Sequence, residues 1–270
     1  MKFLTSLVVE GASFSAVNTA KSALANCVLV KDDLNWIHNN KVSKFMKGVF
    51  NTRPPLPKYS STWNVDTVLD YIENKLSSQD LSLKHLTLKT VMLIALTSGQ
   101  RAQSIHEMDL NLCSKSEDTY IFNFAVKLKT SKPGNTHMPI YVIKNNNNSK
   151  LCPYSSLSVY IERTKQIRAS NKLWLGFVKP FKPITRPTVS RWIKSIMSEA
   201  GIDKQFTGHS TRSASTSKAF MAGLGINSIM KTAHWQKEGN FYKFYRRHIG
   251  EKDSEEEHQK KFSEVVLGKN

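Results

Sequence analysis

The sequence is poor in cysteine, in acidic residues and in long apolar runs, and each shortage excludes something. Its three cysteines (Cys27, Cys113 and Cys152) lie far apart in 270 residues and form no CxxC or other zinc-type spacing. That pattern argues against a structural metal or a disulfide framework and fits a reducing compartment. No apolar run approaches the roughly 18 residues that a membrane span requires. The first residues, MKFLTSLVVEGASFSAV, hold one lysine and a short apolar stretch but continue into Glu10 and a polar, helix-like pattern, unlike a secretory leader. There is no P-loop, no HExxH and no compact acidic cluster, so no signature of nucleotide hydrolysis or of a metal centre. Asp plus Glu number 21 against 39 Lys plus Arg, a formal net charge of +18. An excess of that size favours a polyanionic partner, nucleic acid first, although membrane surfaces and acidic proteins attract basic chains too.

What is present suffices for a folded core: 40% of the residues are hydrophobic and 10% aromatic. Phe3 to Val9 and Ser15 to Leu29 read as helices, the second with apolar residues at three-and-four spacing (Val17, Ala20, Ala23, Leu24, Val28). Val42 to Phe50 is basic and apolar together, as in a helix that packs on one side and faces an anion on the other. Prolines 54, 55 and 57 in NTRPPLPKYSSTW exclude helix interior and mark the best boundary in the chain. Val65 to Leu76 follows as a helix capped by Asn64 or Thr62. Leu83 to Thr97 is strongly apolar and ends at Gly99, which leaves Arg101 at a helix–turn–helix junction. Thr119 to Val126 and His137 to Ile143 have strand character and flank Pro133-Gly134, a hairpin with Lys127, Lys129 and Lys132 on its limb and tip. Helices are expected again over Pro153 to Ile167 and Arg186 to Ala200, the latter carrying Arg186, Arg191 and Lys194 as contacts for DNA phosphates or as a solvated basic face. The expected fold is mainly α with a small β-hairpin or sheet, which excludes a doubly wound sheet and a β-sandwich.

The stretch from Phe206 to Arg246 concentrates the chemistry: His209 and Arg212 three residues apart, the pair His234-Trp235, and Tyr242 and Tyr245 in FYKFYRR. Arginine suits a phosphate clamp because its planar fork pairs with two oxygens and keeps its charge. A tyrosine that attacks phosphorus forms a covalent ester, which stores the bond for rejoining. In this order and spacing, Arg101 in LTSGQRAQSI, His209-x-x-Arg212, Trp235 and Tyr245 resemble the tyrosine recombinase (phage integrase) superfamily. GHSTRSASTSKA, AHW and NFYKFY, with FSAVNTAKSALA and KGVFNTRPPLPKY upstream, are most similar to the recombinases of DIRS-type retrotransposons, and the likeness runs to about Gly250.

The resemblance implies a tyrosine recombinase catalytic domain over 62–250, preceded by a short helical DNA-clamping (core-binding, SAM-like) domain over 1–52 and a proline-rich linker at 53–61, and followed by a charged tail at 251–270. It implies that Arg101 and Arg212 bind the scissile phosphate and that His209 donates to it and handles a proton. Lys129 would protonate the leaving 5′-oxygen, with Lys127 and Lys132 as rivals or DNA contacts. Trp235 would donate through its indole N–H, with His234, where relatives commonly have Gly, as its competitor. Tyr245, ten residues after Trp235, is the favoured nucleophile and Tyr242 its rival. Two departures stand out: Ser104 occupies a position that is a carboxylate in many relatives, with Glu107 or Asp109 as substitutes, and the helical part is short for a full clamping domain. The implied protein is a site-specific recombinase acting through a 3′-phosphotyrosine without metal or other cofactor, on double-stranded DNA, as a homo-oligomer (a synaptic tetramer), nuclear or otherwise intracellular. An inactive DNA-binding descendant of the fold and a type IB-like topoisomerase are the competing readings.

Overall fold

A computed structural model describes residues 1–27, 39–55, 59–78, 80–128, 138–235, 238–244 and 248–249. The chain divides into two compact units, Met1–Lys58 and Tyr59–Asn270.

The described residues of the first unit form three helices: α1 (Lys2–Val9), α2 (Phe14–Cys27) and α3 (Asn40–Thr52). Leu4, Val17, Val42, Met46 and Val49 are its buried core, drawn from all three. The Asn39 side chain accepts from the backbone N–H of Lys41 and starts α3. At the other end of α3 the Arg53 guanidinium donates to the carbonyls of Val8 and Ala12 (2.9 and 3.0 Å), tying the last residues of the unit to the α1–α2 turn.

In the second unit, α5 (Leu83–Ser98) is the central element. It is apolar on every face rather than on one stripe, which is the pattern of a helix enclosed by others. Val91, Met92, Leu93 and Ile94 are all buried. The hydroxyls of Thr87, Thr90 and Ser98 donate to the carbonyls four residues back, so these buried polar side chains are satisfied within the helix. Around it pack α7 (Pro153–Thr164), α8 (Arg186–Glu199) and α9 (Ser210–Met221). The short α6 (Ala102–His106) lies on α8, and α4 (Val65–Lys75), capped by Asn64, touches both α8 and α9. Two further short helices, α10 (Ile226–Thr232) and α11 (Glu238–Phe244), follow α9.

The larger of the two sheets has three antiparallel strands in the order β2 (Cys113–Lys115), β3 (Thr119–Phe122), β4 (Ile140–Ile143), with Tyr120 opposite Val142 and Phe122 opposite Ile140. Tyr120, Phe122, Ile140 and Val142 face the core, while Tyr141 and Ile143 are exposed, the alternation of a half-buried sheet. The expected hairpin is thus part of a three-stranded sheet. Its first strand was not foreseen because CSK is short, polar and without periodicity. The turn expected at Pro133-Gly134, with Lys129 and Lys132, lies outside the described residues. A second, two-residue parallel pairing joins β1 (Ser61–Thr62) to β5 (His248–Ile249), so the chain just beyond Tyr245 is hydrogen-bonded to the start of this unit.

Candidate active site

The site is assembled on the turn that ends α5. Gly99 is left-handed there (φ 58°), and its N–H donates to Ala95; glycine takes this conformation without the Cβ penalty. The reversal turns the Gly99 carbonyl toward α9 and brings Arg101 to the head of α6 as its N-cap. Next to it, the buried Gln100 side chain donates to the carbonyl of Thr232 at 2.8 Å, across 132 residues of sequence.

Arg212 closes the arrangement. It is 1% exposed. One Nη donates to Gly99 O at 2.8 Å and the other to Ala233 O at 2.5 Å. Its guanidinium carbon sits 4.6 Å from the ring centroid of Trp235. The planar fork therefore spans two backbone segments more than a hundred residues apart and stacks on an aromatic face, which lysine could not reproduce. Trp235 is itself buried, its backbone N–H donating to Met230 O, and it packs on Phe241 of α11 at 5.5 Å between ring centroids. Ile229, Ala233, Trp235 and Phe241 form one buried cluster.

His209 occupies the N-cap position of α9, exposed, one turn before Arg212. Its backbone is located by an unusually close approach. A Cβ on Gly208 would lie 2.8 Å from the carbonyl oxygen of Ser190 on α8. Immediately after it, Ser210 Oγ receives the indole N–H of buried Trp63 at 2.9 Å and donates to Thr207 O. Before it, the Lys194 ammonium donates to the carbonyls of Asp203, Lys204 and Phe206, which holds the loop Asp203–Phe206 against α8.

A model of the phage integrase family matches residues 62–249 of the sequence. The chain belongs to the phage integrase family. No curated protein matches it. Among solved structures it is similar to the XerA recombinase (14% identity, 97% of this chain and 89% of that one, TM-score 0.52). It is also similar to the Tn1549 transposon integrase in complex with transposon right-end DNA (12% identity, 98% and 84%, TM-score 0.61). A third match is the XerH site-specific recombinase bound to a palindromic substrate in a post-cleavage complex (11% identity, 98% and 70%, TM-score 0.60). At these identities the likeness concerns the fold: mainly helical with a small antiparallel sheet, as in tyrosine recombinase catalytic domains.

Within this integrase fold, residues 99–101, His209, Arg212 and Trp235 come from one connected block. Tyr245, Lys129 and Lys132 lie outside the described residues. The chain on either side of Tyr245 is described: α11 ends at Phe244 and β5 begins at His248. The rival Tyr242 is exposed and contacts the rings of Phe241 and Phe220. His234 adopts the left-handed conformation (φ 53°), which glycine takes without a Cβ penalty. Lys127, Arg186 and Arg191 are exposed, and Arg191 donates to Thr188. Lys194, expected on the DNA-facing side of α8, directs its ammonium inward onto the carbonyls named above. Ser104 is buried. Glu107 and Asp109, its suggested substitutes, both contact Lys172 at 3.5 and 3.6 Å, and Glu107 also contacts His106. Sequence reading missed Gln100, Trp63, Ser210 and Gly208 as supports. Gln100, Ser210 and Gly208 were signalled only by lying in or beside the SGQR and HxxR motifs, and nothing in the sequence signalled Trp63.

Proposed function

We propose that the protein is a site-specific DNA recombinase that cleaves and rejoins strands through a 3′-phosphotyrosine. The observation that carries this reading is the Arg212 fork, which bonds Gly99 and Ala233 while stacking on Trp235. The Gly99 turn, 113 residues before Arg212, and Ala233, 21 residues after it, are thereby joined into one block. Rigid support of this kind is what preorganised charge stabilisation requires.

In the proposed reaction the Tyr245 phenolate oxygen attacks the scissile phosphorus, a P–O bond to tyrosine forms, and the P–O bond to the 5′-oxygen breaks. The leaving oxygen takes a proton from Lys129. Arg101 and Arg212 neutralise the nonbridging oxygens as charge grows, His209 donates to one of them and accepts the tyrosine proton, and the Trp235 indole N–H supplies a further donor. Attack of a free 5′-hydroxyl on the phosphotyrosine reverses these steps and reseals a strand. The ester conserves the bond energy, so the chemistry calls for no nucleotide hydrolysis.

The helical segment 1–52 acts as a DNA-clamping domain joined by the linker at 53–61, and exposed Lys127, Arg186 and Arg191, together with Lys132, contact backbone phosphates. The active form is a homo-oligomer synapsing two duplexes. The motif wording of GHSTRSASTSKA, AHW and NFYKFY supports an origin in a DIRS-type retroelement and, with it, action on nuclear DNA. The test is a nicked suicide duplex, drawn from a library randomised across the cleavage region and incubated in chelator. A covalent protein–DNA adduct is expected. Salt-sensitive binding with no adduct from any library member would contradict recombination and leave a protein that only binds DNA.

A further inference from the structure

A second polar cavity opens in the catalytic unit, away from the site just described. It has a volume of about 410 Å³ and lies between the end of α4, the first turns of α5, the loop at Ser149 and Lys150, and α7. Ten residues of α5 separate Lys89 in this cavity from Gly99, which is about 15 Å along the helix axis. Its polar lining is cationic and hydroxylic, with Lys89, Lys150 and Arg163 beside Ser77, Ser155 and Ser156, and no carboxylate lines it among the described residues. The nearest acidic group to a lining cation is Glu73, 4.0 Å from Lys150 Nζ at the rim.

Two of these side chains are more than nine-tenths buried and incompletely satisfied. Lys89 is 6% exposed, and its ammonium donates to the Leu76 carbonyl at 2.8 Å. That is one of three donors, and no carboxylate lies within ion-pairing distance of it among the described residues. Ser156 is 7% exposed, and its hydroxyl makes no hydrogen bond to a described residue. Burial pushes the Lys89 ammonium below the usual lysine range, with Cys152 opposing it less strongly, the cost of holding a charge in a dry place. An oxyanion in the cavity would accept from both groups and remove that cost. Leu81, Leu86 and Val159 line the other wall, so the space suits an anion carried on a body with an apolar face.

We propose that this cavity binds a phosphate group, free or carried on a small molecule, with Lys89 and Ser156 as its buried donors and Lys150 and Arg163 at the mouth. The site is independent of DNA cleavage and would let a small phosphorylated ligand bind the end of α5 opposite the Gly99 turn.

The full-length protein is titrated by calorimetry at constant ionic strength with inorganic phosphate and with adenosine monophosphate. Saturable binding is expected. Lys89→Met should weaken it by about tenfold to a hundredfold and Ser156→Ala by about threefold to tenfold, as loss of a charged and of a neutral hydrogen bond would. His209→Ala, which alters the other phosphate site, should leave it unchanged. Equal affinity for the two probes assigns the cavity to free phosphate, and tighter binding of the nucleotide assigns it to a phosphorylated small molecule. The proposal is overturned if neither probe binds, if Ser156→Ala and Lys89→Met bind as wild type does, or if His209→Ala removes the binding. Should Lys89→Met fail to fold, Ser156→Ala decides the matter.

Discussion

Replacing Gly208 by alanine adds one methyl group where α9 begins against α8. The backbone of Gly208 is outside the left-handed region, so the substitution carries no conformational penalty, and its effect is steric. The new Cβ would sit 2.8 Å from Ser190 O, 3.4 Å from Ser190 Cα and 3.5 Å from Ile193 Cβ. The oxygen and the Cα are backbone of a regular helix and cannot rotate away. Either α8 or the Thr207–Ser210 turn must move by several tenths of an ångström. Overpacking of this kind costs about 1–3 kcal/mol. At about 2–4 °C per kcal/mol for a domain of this size, the melting temperature should fall by about 2–12 °C. His209, the proposed proton handler, is the next residue, and on that reading its displacement should slow formation of the covalent adduct by about tenfold to a hundredfold. Gly48→Ala supplies the contrast. Gly48 lies inside α3 with nothing within 4 Å of the added Cβ, and alanine there should stabilise the helix by about 0.5–1 kcal/mol and leave adduct formation alone. Circular dichroism melts and single-turnover adduct assays read both quantities. Gly208→Ala with a wild-type melting temperature and adduct rate would refute the claim that this close approach fixes His209.

Two other substitutions probe the support of the site. His234→Gly removes a left-handed non-glycine residue and should add about 1 kcal/mol of stability, with the adduct rate kept within about twofold; a drop of tenfold or more would put His234 in the phosphate cage in place of Trp235. Trp63→Phe deletes the indole N–H that Ser210 Oγ accepts and leaves a small void, so a loss of about 1–3 kcal/mol is expected, read by denaturant unfolding, while the salt dependence of DNA binding stays unchanged.

Helix positions were legible because their ends carry local chemistry: Asn64 caps α4, and Gly99 stops α5 with a left-handed turn. The motifs at Arg101, His209-x-x-Arg212 and Trp235 were legible as motifs, whereas the bonds that join Arg212 to Gly99 and Ala233 are long-range and no local pattern encodes them. Gln100 reaches Thr232 and Trp63 reaches Ser210 across 132 and 147 residues of sequence, and neither residue type announces such a partner. Gly208 reads as an ordinary turn glycine; only the approach of Ser190 reveals why a side chain is excluded. Lys194 shows the opposite failure. Basic residues along one helix suggest a DNA-facing surface, yet this ammonium sits on three carbonyls of its own chain. The strand at Cys113–Lys115 was missed because three polar residues have no period, and its pairing with β3 exists only once the sheet forms.

The central claim is that Tyr245 is the nucleophile of a phosphotransfer supported by the Arg212–Trp235 block. It is tested most directly by trapping the covalent complex on a nicked duplex, digesting it with protease and nuclease, and locating the modified residue by mass spectrometry. The account predicts a nucleoside 3′-phosphate on Tyr245 and none on Tyr242, and no adduct at all from Tyr245→Phe. Recovery of the phosphonucleotide on Tyr242, or on no tyrosine, would contradict it.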